Sequence, residues 1–70
     1  MGMPVVRFCF SRSDTITEVS YEEGETYADL LLRCGLIPDT LLIFAGDSSI
    51  PEDAPVNEVE VTIEETASRG

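Results

Sequence analysis

The sequence predicts a small α+β domain in the order β-β-α-β-β-β, with one helix laid across one face of a sheet. Three observations predict it. Short runs alternate apolar and polar residues with a period of two, a single stretch over 27–34 has helical spacing, and turn-forming residues stand at the junctions. No internal repeat, linker or low-complexity segment interrupts this order.

Val5 to Phe10 form the first expected strand, with Val6, Phe8 and Phe10 on one face and Val5, Arg7 and Cys9 on the other. Ser11-Arg12-Ser13-Asp14 is a turn by composition, and Thr15 to Tyr21 return as a strand with Thr17, Val19 and Tyr21 inward. Thr26 suits a helix N-cap, with Asp29 three residues on at the positive end of the helix dipole. Tyr27, Leu30, Leu31 and Cys34 fall at i, i+3, i+4 and i+7, which makes one apolar face. Gly35 then supplies a left-handed C′ position, Leu36 the apolar contact after it, and Pro38 a stop. Leu41 to Ala45 read as a third strand closed by Gly46-Asp47, with a short return around Ser49-Ile50 that Pro51 limits to a sheet edge. Val56 is expected to anchor the loop that follows.

In the last strand Val59, Val61 and Ile63 alternate with Glu60, Thr62 and Glu64. After Glu65 the residues are small or polar with nothing to bury, so a folded unit over 1–65 and a mobile tail over 66–70 are expected. Five extended residues reach about 17 Å, enough to carry a terminal carboxylate into a partner's pocket. The expected core is Val6, Phe8, Val19, Leu30, Leu31, Leu42, Phe44, Val61 and Ile63.

At 70 residues the chain is near the size at which one core only just suffices, and 43% hydrophobic content argues against general disorder. No run approaches a membrane span, and Met1-Gly2-Met3-Pro4 has neither the basic-then-apolar pattern of a signal peptide nor, with Val6, the hydroxyl residue a myristoylation motif needs. A cytoplasmic monomer is expected. Fourteen acidic residues against four basic, all of them Arg, leave a net charge of −10. That balance repels phosphate backbones, disfavours nucleic acid and favours a basic protein partner, although a solvating acidic surface also accounts for it.

Missing residue types exclude chemistry as well. With no His there is no ordinary imidazole base, which removes Cys-His and Ser-His catalysis, and Cys9 with Cys34 cannot form a normal zinc site. Cys9 is expected on the face away from the helix and Cys34 in the helix–sheet core, so two reduced thiols are expected rather than a disulfide. Glu22, Glu23 and Glu25 could hold a cation, but a solvated acidic loop is the expectation. No catalytic residue and no metal site are expected.

The element order, together with several local runs, resembles the ubiquitin-like β-grasp family. Leu42-Ile43-Phe44-Ala45-Gly46 matches a run in ubiquitin itself, while Thr26-Tyr27-Ala28-Asp29-Leu30 and Ile50-Pro51-Glu52-Asp53 are similar to segments of the small archaeal modifier proteins and of bacterial sulfur carriers for thiamine and molybdopterin synthesis. The resemblance covers the chain from Val5 onward. It implies a mixed sheet with the first and last strands parallel at its centre.

The resemblance also implies a function. An E1-like activating enzyme would use ATP to adenylate the carboxylate of Gly70; sulfur transfer would then give a thiocarboxylate, or a target lysine would attack to give an isopeptide bond. The protein would be a substrate rather than an enzyme, with no bound cofactor, and its partners would be the activating enzyme and target proteins or a sulfur-accepting enzyme. Ser68 and Arg69 would be read with the tail, and Ile43 with Thr62 would belong to an exposed surface that partners contact. The family ends in Gly-Gly, whereas this chain ends Ser68-Arg69-Gly70. That departure keeps three readings open: a different activating enzyme, a chain that continues to a second glycine, or a non-conjugating β-grasp interaction module. With no Lys, the chain could accept no modifier on a side-chain amine.

Overall fold

The computed structural model describes residues 2–65. Its elements are β1 (Val5–Phe10), β2 (Thr15–Ser20), α1 (Tyr27–Arg33), a 3-10 turn (Pro38–Thr40), β3 (Leu41–Ala45), β4 (Ser48–Ile50) and β5 (Glu60–Glu65). They form one five-stranded sheet in the order β2-β1-β5-β3-β4. β5 lies at the centre, parallel to β1 and antiparallel to β3, and every other pairing is antiparallel. This is the β-grasp arrangement. The expected tail over 66–70 lies outside the described residues.

The hairpin forms because the polar turn between β1 and β2 includes Asp14 in the left-handed region, at φ 56°, a conformation Asp tolerates better than most residues. The helix begins at Thr26 in a capping box: the Thr26 hydroxyl accepts from the Asp29 N–H, and the Asp29 carboxylate accepts from the Thr26 N–H, both at 3.2 Å. The next two orphan donors are taken by the loop before β5, with Tyr27 N–H on the Ala54 carbonyl at 3.3 Å and Ala28 N–H on the Glu52 carbonyl at 2.8 Å. At its other end Gly35, at φ 82°, lets Leu36 N–H reach the Leu31 carbonyl and Gly35 N–H the Leu32 carbonyl, both at 2.9 Å.

Val6, Phe8, Val19, Tyr27, Leu30, Leu31, Ile43, Val56, Val61 and Ile63 make the core between the helix and one face of the sheet. Five expectations are corrected. Leu42, expected inside, is 45% exposed, and Phe44 is only half-buried; Ile43, expected on the surface, is 2% exposed. The reason is register, because Ile43 lies opposite Ile63 on β5 and Ile50 on β4, and must share the face that Ile63 already buries. Cys34 is exposed rather than buried, because it is the C-cap, where the chain leaves the helix and Leu36 swings onto the core instead. Val59 is 72% exposed, since β5 starts only at Glu60 and nothing in the sheet covers the residue before it.

Candidate functional site

The site has two parts, the place where β5 ends and the outer face of the sheet. β5 is paired along both sides, so its last described residue, Glu65, is held close to the body. On the β1 side Ser11 N–H donates to the Ile63 carbonyl at 3.1 Å, and the Arg12 guanidinium meets the Glu65 carboxylate at 3.2 Å. On the other side Leu41 pairs with Glu65. The chain therefore leaves the sheet from a root tied on both sides. The tail residues of the expected site, Ser68, Arg69 and Gly70, lie outside the described residues.

The outer face, away from the helix, is where Thr62 stands. Cys9 pairs with both Ile16 and Thr62, and Thr62 with Phe44, so a row of side chains runs across four strands from Ile16 to Phe44. Alternation along each strand places these residues on the same face. Thr62 is half-buried in the middle of the row, and Ile43 is not part of it. Its place on the outer face is taken by Leu42, which pairs with Glu64, and by Phe44.

A polar cluster lies one step along from this row. The Cys9 thiol donates to Glu60 Oε2 at 3.0 Å, and Arg7 Nη2 meets Glu60 Oε1 at 3.3 Å. The bond from Cys9, and after it the charge of Arg7, hold the Glu60 carboxyl below the usual range. Conversely, the bond to Glu60 and then burial push the Cys9 thiol up, because ionising it would lose the S–H donor and set a second negative charge beside the carboxylate. Cys9 is thus poorly suited to act as a nucleophile. Sequence reading missed this cluster, since Arg7 and Glu60 stand far apart in the chain; opposite charges at outward positions of two strands that become neighbours were its only trace.

In the acidic loop before the helix, Glu22 and Glu23 are exposed and the Glu25 carboxylate is taken up by protein contacts. Glu25 accepts from the Glu22 N–H at 2.9 Å and pairs with Arg33. Among the described residues no group of His, Cys, Asp or Glu is arranged to hold a metal ion, and no helix is long and apolar enough to cross a membrane.

Comparison with protein families places residues 10–64 on the family model described as small archaeal modifier protein 2. No curated protein and no solved structure gave a match. The matched span runs from Phe10, the last residue of β1, to Glu64, the penultimate residue of β5, so it takes in β2, α1, β3 and β4 whole.

Proposed function

This chain belongs to the small archaeal modifier protein 2 family, and we propose that it serves as a ubiquitin-like modifier or sulfur carrier activated at its C-terminal glycine. A separate E1-like enzyme adenylates the Gly70 carboxylate: a carboxylate oxygen attacks the α-phosphate of ATP, pyrophosphate leaves, and the acyl group becomes a mixed anhydride. A sulfur donor or a target amine then attacks the carbonyl carbon and AMP departs. The protein itself contributes no base or acid to these steps. Its contribution is mechanical.

The observation that carries this reading is the central β5, parallel to β1 and paired on that side as far as Ile63 and on the β3 side as far as Glu65, which also meets Arg12. Five residues beyond a fixed root span at most about 17 Å, which brings a chain end into a neighbouring enzyme's channel while the domain stays outside. Glycine at the end suits such a channel because no side chain obstructs it or the approaching nucleophile. Ser68 and Arg69 are read with the tail, and Thr62 on the outer face lies within a partner-facing surface that Leu42 and Phe44 complete in place of Ile43.

The test is incubation of the protein with ATP and the activating enzyme of its own cells, followed by intact mass. An adenylate or its sulfur product on the full chain, absent when Gly70 is deleted, supports the reading; in extracts, a thiocarboxylate mass separates the carrier from the modifier, which appears as conjugates joined through Gly70. An unmodified chain under all conditions favours the second reading, a non-conjugating interaction module. In that case deletion of 68–70 leaves partner binding intact.

A further inference from the structure

At the β4 edge of the sheet the helix no longer covers the inner face, and a groove of about 440 Å³ opens between the 3-10 turn and the loop after β4. Its apolar floor is lined by Leu42, which is exposed, and by the half-buried Leu41 and Ile50, with Ile43 almost wholly buried among them. Asp39 and Glu52 are the two carboxylates among its lining residues. We propose that this groove docks a cationic, apolar segment of a partner protein, seating an aliphatic side chain on the floor and Lys or Arg against Asp39 and Glu52.

Charge carries the choice of occupant. From Cys34 to Ser68 the chain contains no Lys or Arg, so the elements that build the groove supply only carboxylates. The three described arginines are engaged elsewhere: Arg7 with Glu60, Arg33 with Glu25, and Arg12 with Glu65 on the β1 side of the strand root. Asp39 and Glu52 are in no ion pair among the described residues, and a cation from outside is the complement they lack. An apolar floor with a charged rim is the ordinary anatomy of a protein docking site.

Geometry limits how the segment binds. β4 is three residues long and is followed by Pro51, which has no N–H to donate, so the edge offers little ladder for an added strand. The segment docks by side chains. A second copy of this chain is a poor occupant, since it also carries −10. Leu41 joins the groove to the strand root through its pairing with Glu65, so a seated segment lies beside the start of the tail. The proposal does not depend on whether Gly70 is activated.

The test is an amide NMR titration of the full chain with three synthetic peptides: two leucines flanked by arginines, the same peptide with glutamates for the arginines, and the same with alanines for the leucines. The expected result is saturable shifts centred on Leu41, Leu42, Ile50 and Glu52 with the first peptide, weaker with added salt, and absent with the other two. Asp39→Arg combined with Glu52→Arg is expected to weaken the first peptide about tenfold, the scale of a lost charge-assisted contact. Should that variant misfold, the two control peptides on the unaltered protein still decide the matter. Equal shifts from the alanine peptide, shifts spread over the acidic surface, or groove shifts that depend on protein concentration alone would overturn the proposal.

Discussion

Cys9 and Glu60 illustrate how a pair of ordinary residues acquires unusual titration from a single contact. The thiol donates to the carboxylate, which lowers Glu60 and raises Cys9. The two ends of the pH scale therefore behave oppositely. Glu60 contributes stability above its unfolded pKa, and this is lost as pH falls through its lower folded value. Cys9 contributes below its unfolded pKa, and this is lost as pH rises through its higher folded value. Cys34, exposed at the helix end, has no such contact among the described residues. Alkylation followed by peptide mapping at mildly alkaline pH is expected to label Cys34 first, and Glu60→Gln is expected to speed labelling of Cys9 several-fold by weakening the thiol's hydrogen bond and removing the neighbouring charge. Equal rates for Cys9 in both proteins would show that the contact does not govern the thiol.

At the scale of elements, β3 is the instructive strand. All five of its residues, Leu41 to Ala45, are apolar, so alternation says nothing about which of them face the helix. The pattern-based core took Leu42 and Phe44 as inward and the resemblance set Ile43 at the surface, whereas pairing with β5 and β4 puts Ile43 inside instead. One residue of register exchanges core for surface. Ile43→Ala is accordingly expected to cost about 2–5 kcal/mol in a denaturant melt and Leu42→Ala less than about 1 kcal/mol. The reverse order would place the strand the other way round. The helix shows the opposite case: Thr26, Asp29 and Gly35 announce both of its ends in the sequence and occupy those roles in the fold. What the pattern did not reveal is that the loop carbonyls of Glu52 and Ala54 complete the N-terminal capping, because carbonyls look alike in every residue.

For the whole molecule, charge is the dominant long-range term. A net charge of −10 on 70 residues opposes compaction, and the pairs Arg7–Glu60 and Arg12–Glu65 lie on the surface, where solvent screens them and they offset little of it. Added salt shortens the screening length to about 10 Å at 0.1 M and weakens repulsion throughout. The unfolding midpoint is therefore expected to rise between low salt and several hundred millimolar, and a midpoint that stays level would mean the carboxylates are too far apart to matter. The same charge, with no basic residue between Cys34 and Ser68, makes a cationic surface the natural partner.

By itself the sequence determined the element order, the turn between β1 and β2, both ends of the helix, and the inward faces of β1, β2 and most of β5, because each of these rests on local chemistry: a period, a cap, a positive-φ glycine. Tertiary structure alone decided the face of β3, the exposure of Cys34 and Val59, the Cys9–Glu60–Arg7 cluster and the groove beside the strand root. Those depend on which strands become neighbours and in what register, and partners brought together from more than 50 residues apart, as Arg7 and Glu60 are, leave no local mark on either segment.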